Sequence, residues 1–327
     1  MIKPRDTFDD VLDRVLDAAV LPGYTNVGYR LRRHAWSDAE LERMDGRVAL
    51  VTGATSGLGL AAAAGLARLG ASVRLLARNA ERAEQARAEL VERTASTDVE
   101  VVQCDLSDLR DVRRFAAEFL AREPRLDVLV NNAGVLPAQR AVTADGLELT
   151  FATNVAAPFL LTKLLLGRLR SSAPSRIVNV TSGGMYTQRL HVEDLQMERG
   201  KFDGTVAYAR TKRAEMVLTE LWAQRLAGSG VVVHAVHPGW ADTPGVRASL
   251  PTFHRLTRPL LRTPEQGADT IVWLAAAAEP ARSTGGLWHD RRRRPTHRVP
   301  RTRESADERE ALWTACEQLT SDHKGTA

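Results

Sequence analysis

Four aliphatic residues, Val48 to Val51, run without a break into TGATSGLG, Thr52 to Gly59. Short, largely β-branched and followed at once by Thr-Gly, the apolar run predicts a parallel strand buried on both faces. Glycines at 53, 57 and 59 then let the chain turn tightly and bring backbone N–H groups close to a ligand. The Ala-rich stretch over 58–69 predicts a helix closed by Gly70. Its N-terminal dipole favours an anion at the loop. The spacing is GxxxGxG and not the commoner GxGxxG, so the strand before it and the helix after it carry the weight. Gly53, Thr55, Ser56, Gly57, Leu58 and Gly59 are the candidate phosphate-holding residues.

The alternation continues down the chain. Further strands are expected over 72–76, 99–103, 127–130, 176–180, 231–236 and 286–288, and helices over 81–93, 109–121, 146–170, 206–226 and 264–277. Strands separated by helices of this length imply βαβ units. Right-handed crossovers then give an α/β, doubly wound fold of the Rossmann kind: a parallel sheet of about seven strands with helices on both faces. Ligands in such sheets bind outside the C-terminal ends of the strands, where the strand order switches. The expected division is an N-terminal extension over 1–46, a catalytic domain over 47–290 that includes a lid at 240–262, and a basic loop with a C-terminal helix over 291–327. Within the extension, 11–20 predicts a short amphipathic helix, and LPGYTNVGY has turn chemistry.

Bulk composition excludes several classes. A hydrophobic fraction of 44% supports a substantial core. The net charge of +5 is local: residues 290–303 hold seven arginines and one aspartate, which leaves the rest near −1. A broad basic face for nucleic acid is therefore not expected. Neither Cys104 nor Cys316 sits in a metal-ligand spacing, so neither a metal site nor a disulfide framework is expected. The N-terminus lacks the apolar core of a secretion signal, and no run of 18 apolar residues exists. The expectation is a cytoplasmic protein without a transmembrane helix.

An adenosine ribose with free hydroxyls usually meets an acid some 20 residues beyond the glycine loop. Residues 70–80 contain none and offer Arg78 in the loop position. A guanidinium there suits a 2′-phosphate, which an acid would repel, so NADP(H) is the expected cofactor. The plainer reading of Arg78 is a solvated arginine leading a helix. Asp105 and Leu106, in CDLSD after the third strand, are candidates for the adenine side. A helix cap is the alternative for Asp105, one that Ser107 or Asp108 could equally fill.

Chemistry-bearing segments fall at the C-terminal ends of successive expected strands: NNAG (131–134), VNVTS ending at Ser182, and HPGWADT (237–243). Between the last two lies YARTK, which sets Tyr208 and Lys212 four apart on one helix face. A free phenol titrates near pH 10, too high for a base near neutrality. A neighbouring ammonium stabilises the phenolate, and the pair can then exchange a proton with a substrate oxygen. Lys212 can also hold the cofactor ribose, and Ser182 can steady a developing oxyanion.

TGATSGLG, NNAG, the serine after VNVT, YARTK and HPGWADT occur in this order, and together they resemble the short-chain dehydrogenase/reductase family over about Gly46 to Trp288. The resemblance implies that Asn154 in FATNVAAP holds a helix bend and a relay water, completing a tetrad with Ser182, Tyr208 and Lys212. It also implies that Asn132, Ala133 and Gly134 lie on the adenosine side, and Pro238, Gly239 and Thr243 on the nicotinamide side. The 26-residue interval between Ser182 and Tyr208 looks like that of the retinol-dehydrogenase-like members. The leader, GGM, HPGWADTPGVR and GLWHDRRRRPTH are most similar to the branch numbered twelve among the human members.

Remaining features keep two readings each. His237 is expected to be packed or backbone-bonded and not an acid or base. Val246, Leu250, Phe253, Leu256, Leu260 and Leu261 form a substrate wall, pack on the core, or both. The arginines at 291–294 are expected to be solvated or to pair with Glu304, Asp307, Glu308 and Glu310, ahead of a role on a membrane surface. The leader's apolar face is expected to pack, with a cover for the pocket or a peripheral membrane contact as alternatives. A homodimer through the helices beginning near Gly146 and Val206 is left open beside a monomer. The expected function is an NADP(H)-dependent oxidoreductase interconverting a lipophilic alcohol and a carbonyl. The alternatives are an NADPH-dependent C=C reductase and a non-catalytic NADP(H)-binding sensor or scaffold.

Overall fold

The computed structural model describes residues 7–321. Its strands are β1 (Val48–Thr52), β2 (Ser72–Ala77), β3 (Val99–Gln103), β4 (Val128–Asn131), β5 (Ser175–Val180), β6 (Val231–Val236), β7 (Leu287–His289) and β8 (Arg292–Arg294). They form one sheet in the order β3-β2-β1-β4-β5-β6-β7-β8. β1 to β7 run parallel, and β8 returns antiparallel to β7. Strand order reverses between β1 and β4, so the cleft expected of this topology opens there. Every residue of β1 is buried, as an aliphatic strand covered on both faces must be.

The chain enters through α1 (Thr7–Ala18), α2 (Val20–Tyr24) and α3 (Asn26–Arg33). One face of the sheet is then covered by α4 (Gly57–Arg68) and α5 (Ala80–Thr94), the other by α6 (Leu109–Arg122). A continuous helical stretch follows, made of α7 (Leu149–Phe151), a π-turn at Ala152–Ala156 and α8 (Ala157–Ser171). α9 (Gly204–Arg225) lies beside it. After β6 come the short α10 (Pro244–Ser249) and α11 (Pro251–Thr257), then α12 (Pro264–Ala276), which packs against α4, and finally α13 (Ala306–Leu319). The stretch Leu149–Ser171 is long and apolar enough to cross a membrane, but 72% of its most apolar window is buried in this fold, as in a core helix.

Three expectations are corrected. LPGYTNVGY forms helices and not turns. Gly23, read as turn punctuation, instead lets two segments cross closely: a Cβ on it would lie 2.0 Å from the Leu16 carbonyl oxygen. The sheet has eight strands, because the supposed basic loop forms an edge strand. β7 and β8 are joined by Asp290 and Arg291, both at φ +53, which matches the right-handed twist of a hairpin. Finally, the arginines of this region pair with the leader and not with the tail. Arg292 meets Asp10 at 2.7 Å, Arg294 meets Asp13 at 2.6 Å, and Arg298 meets Asp17 at 2.8 Å. Arg291 binds Asp269 of α12 at 2.8 Å. Among the tail acids, Glu304 pairs with Arg213, Glu308 with Arg189 and Glu310 with Arg225.

Those tail pairs help seat α13 on α8 and α9. Trp313 stands edge-on to Trp222 at 4.7 Å and to Phe159 at 4.9 Å, with the Arg225 guanidinium 3.8 Å from its ring centroid. The leader packs through Leu16, Tyr24 and Arg32 and leaves Phe8, Val11, Val15 and Leu21 exposed.

Candidate active site

The glycine loop has the conformation that its residues suggest. Gly53 and Gly57 sit at φ +64 and +55, a region L side chains rarely adopt. A Cβ on Gly53 would come within 2.9 Å of the Ala133 backbone, and one on Gly57 within 3.2 Å of Thr243. Ser56 caps α4 with extended backbone and no side-chain hydrogen bond, and the first turn holds no acid. The N–H groups of that turn, among Gly57, Leu58 and Gly59, are thus uncapped by any side chain, which fits a pyrophosphate. The residues present therefore fit a dinucleotide.

The next loop is tied to this one. Thr52 Oγ1 accepts hydrogen bonds from the N–H groups of Asn132 (2.9 Å) and Ala133 (3.0 Å), and Asn132 Nδ2 donates to the Thr52 carbonyl. Gly134 leads toward the tetrad: a Cβ on it would lie 3.4 Å from both Asn154 Oδ1 and Lys212 Nζ. Beyond β2, Arg78 is 75% exposed and stands 3.9 Å from Asp105 Oδ2, so two of the expected adenosine-side residues share one rim. Asp105 accepts from Ser107 N–H and Oγ, while Asp108 takes the cap of α6. Leu106 is buried and lines a cavity with Thr52, Asn131 and Ala133.

The four residues expected to do chemistry converge at the C-terminal edge of the sheet. Asn154 is fully buried in the π-turn, where Ala157 N–H reaches back five residues to the Ala152 carbonyl. Such turns often mark functional sites. Its side chain accepts from Val135 N–H (2.8 Å) and donates to the Val135 carbonyl (3.1 Å) and to Thr211 Oγ1 (3.0 Å). This stitches the loop after β4 to α9. Asp203 caps α9 through Thr205 and Val206, fixing the turn that carries Tyr208. Tyr208 is half-buried, with Lys212 Nζ 5.4 Å from its ring centroid. Ser182 follows β5, and its Oγ accepts from Gly184 N–H (3.2 Å). A Cβ on Gly184 would contact both Ser182 Oγ and Ala209 at 3.7 Å, so the serine turn lies against the Tyr208 end of α9.

Lys212 is held from below. Its Nζ donates to the Val180 carbonyl (2.9 Å) and to Glu215 Oε1 (2.7 Å). Burial works against its charge, but the negative charge of Glu215, and behind it Tyr208, holds its pKa above the usual lysine value. Burial pushes the Glu215 carboxyl up to about 7, with Lys212 pulling the other way. Nothing in the sequence singled out Glu215; a glutamate on a long helix reads as a solvated face.

His237 is 3% exposed and accepts at Nδ1 from Gly183 N–H (3.1 Å), so it shapes the serine turn. Burial, then the charges of His289 and Arg262, hold it well below the usual histidine range, and it is neutral. Tyr24 of the leader stands edge-on to His237 (4.4 Å) and His289 (5.1 Å), and its carbonyl accepts from Trp240 N–H (2.8 Å). The leader thereby backs the loop of Pro238 and Gly239, a contribution that turn chemistry did not suggest. Thr243 caps α10 and packs on Gly57. The short helices α10 and α11 bury no residue of their own. Phe253 packs on Trp240 at 5.2 Å, Leu256 is 73% exposed, and Ser249 Oγ donates to the Leu136 carbonyl (2.9 Å) across the cleft.

Known proteins resemble this chain in sequence and fold. The family model described as short chain dehydrogenase matches residues 47–252. Human Dehydrogenase/reductase SDR family member 12 is 40% identical over 304 residues, covering 92% of this chain and 95% of its own. Human Retinol dehydrogenase 11 is 42% identical over 71% of this chain and 74% of its own. Among solved structures, an uncharacterised protein from Mycobacterium paratuberculosis superposes with a TM-score of 0.69 at 32% identity, over 87% of this chain and 97% of that one. The Pseudomonas aeruginosa RhlG/NADP active-site complex superposes with a TM-score of 0.61 at 30% identity, over 75% and 94%. This chain belongs to the short-chain dehydrogenase/reductase family.

Proposed function

We propose that this protein is an NADP(H)-dependent oxidoreductase interconverting a lipophilic alcohol and the corresponding carbonyl. The observation that carries the reading is the pairing of Tyr208 with the buried ammonium of Lys212, 5.4 Å from its ring, at the sheet edge beside the uncapped N-terminus of α4. The bound nicotinamide supplies or accepts the hydride. Tyr208 gives its hydroxyl proton to the substrate oxygen in reduction and takes one in oxidation. Lys212 stabilises the phenolate that Tyr208 becomes, Ser182 donates a hydrogen bond to the developing oxyanion, and Asn154 fixes the π-turn and the loop that flank them. Gly53, Thr55, Ser56, Gly57, Leu58 and Gly59 would hold the pyrophosphate. Asp105, Leu106, Asn132, Ala133 and Gly134 would hold the adenosine side, and Pro238, Gly239 and Thr243 the nicotinamide side.

Arg78, exposed at the end of β2 with no acid in residues 70–80, supports NADP(H) over NAD(H). The NADP complex of RhlG supports the same choice. The name of Retinol dehydrogenase 11 and the apolar residues of α10 and α11 support a lipophilic substrate. The test is a panel of lipophilic carbonyls and alcohols followed by NADPH absorbance, with NADH as the control. Turnover is expected with NADPH. Arg78→Ser is expected to raise the KM for NADPH roughly tenfold to a hundredfold, the worth of a charge-assisted contact, and to leave NADH unaffected. Turnover with NADH alone overturns the cofactor assignment.

A further inference from the structure

Glu215 lies one turn beyond Lys212 on α9, and none of the roles above requires it. The two side chains are only 9% and 4% exposed and meet at 2.7 Å. Burying a carboxylate is costly, and an apolar residue of similar volume would pack more cheaply. Glu215 Oε2 is buried without a hydrogen-bond partner, as are Asn131 Oδ1 and Thr153 Oγ1. These three residues line one cavity, about 310 Å³ with its open mouth, bounded also by Thr52, Asn154 and Asn179. Leu106, Ala133, Pro158 and Leu161 complete the lining, and the two acceptors and the hydroxyl set among them call for donors, which a water supplies. Lys212, and Tyr208 beyond it, are the charged or titratable groups that Glu215 faces on its own helix. The other polar groups that line the cavity, from β1, β4, β5 and the π-turn, are the hydroxyls of Thr52 and Thr153 and the amides of Asn131, Asn154 and Asn179, none of them titratable. The carboxyl, pushed up to about 7 by burial, is thus the group beside Lys212 that changes charge near neutrality.

We propose that Glu215 is a positioning residue acting through Lys212: it fixes the ammonium beneath Tyr208 and, by exchanging a proton with water in the adjoining cavity, sets how much of that positive charge the phenol experiences. The carboxyl loses one proton to the cavity water and regains one from it, and no other bond changes. When Glu215 is neutral, the full field of Lys212 acts on Tyr208. When it is ionised, part of that field is offset, so the acid–base balance of the site depends on two coupled groups. Only the kinetic half of the test rests on the alcohol–carbonyl reading given above.

The first measurement needs no substrate. Infrared difference spectra between the wild type and E215Q are expected to show a protonated-carboxyl stretch in the wild type that disappears as the pH is raised from about 5 to about 9. A missing band, or one that does not titrate, overturns the proposal. The second is the pH profile of kcat/KM for alcohol oxidation. E215Q keeps the shape and loses the charge, so its acid limb is expected to move to lower pH by on the order of one unit. E215D is expected to return the limb toward the wild-type position. A limb that stays put while the rate merely falls in both variants assigns Glu215 to packing alone. Thermal melts establish that each variant folds, and E215M, of similar volume and without a carboxyl, carries both comparisons if E215Q does not. If no alcohol or carbonyl is turned over, the functional proposal fails, while the infrared result still decides Glu215.

Discussion

At the scale of single residues, the chemistry depends on how few groups surround the Tyr208 hydroxyl. Tyr208→Phe removes the only proposed proton donor and leaves the ring, the helix and the glycine loop in place. Its kcat is expected to fall about 10²- to 10⁴-fold, the usual worth of a positioned acid–base group, with nucleotide affinity retained. Stopped-flow kinetics paired with a nucleotide titration checks both parts; full activity in this variant would leave the protein a binding module. Tyr208, Lys212 and Ser182 were legible in the sequence through a strand end or a short local pattern, and Asn154 through the family resemblance alone. Glu215 and His237 show the limit of that legibility. The role of Glu215 follows from which side of α9 faces the cavity, and that of His237 from a hydrogen bond to Gly183, 54 residues away in the chain. Neither relation has a local signature.

At the scale of elements, the parallel strands and their helices followed from periodicity, with most ends within a residue or two of expectation. The leader and the last hairpin did not. A two-residue hairpin with both φ positive is normally announced by Asn-Gly or Asp-Gly. Here Asp290 and Arg291 adopt that shape at a cost of about 1–2 kcal/mol each, and ion pairs offset it. Asp290 accepts from Arg262 Nη1 (2.6 Å) and Nη2 (2.8 Å) and from Arg32 Nη1 (2.7 Å), all of them buried. A partner 258 residues away cannot be read from spacing. This node joins the leader, the segment before α12 and the sheet edge, and it lies beneath the Tyr24–His237 contact. Asp290→Ala leaves the buried Arg262 guanidinium without a carboxylate and takes from Arg32 one of its two, Asp13 remaining at 2.7 Å; it is expected to cost about 3–5 kcal/mol, read as a lower urea midpoint at unchanged slope. A loss below about 1 kcal/mol would mean that the guanidiniums are satisfied by the Gly23 carbonyl and Asp13 alone.

Over the whole molecule, the two sheet faces hold separate apolar clusters, with α13 completing one and the leader closing the sheet edge near the site. That closure buries His237 and His289 against Tyr24, while Pro280 and Trp288 enclose His234; each is at most 3% exposed. Burial is the leading cause that lowers all three; His289 is brought to about 4. The unfolded chain binds a proton on each imidazole below about pH 6.5, whereas the folded chain excludes it until lower pH. Between those limits the unfolded state binds more protons, so stability falls as the pH falls. His289 alone accounts for on the order of 3 kcal/mol by about pH 4. Asp290 acts in the same direction: buried, but held below its usual value by Arg262, it stabilises the fold above about pH 4 and loses that contribution on further acidification. Glu215 opposes them, because a carboxyl raised to about 7 binds its proton in the folded state first and so gains stability as the pH falls through about 7 to 4.5. Three imidazoles outweigh one carboxyl, and urea midpoints are expected to drop steadily from about pH 6.5 to 4. His289→Gln is expected to flatten that slope. Midpoints that held constant or rose across this range would show that the closure does not exclude protons from the histidines, and that the leader is more loosely seated than its buried contacts imply.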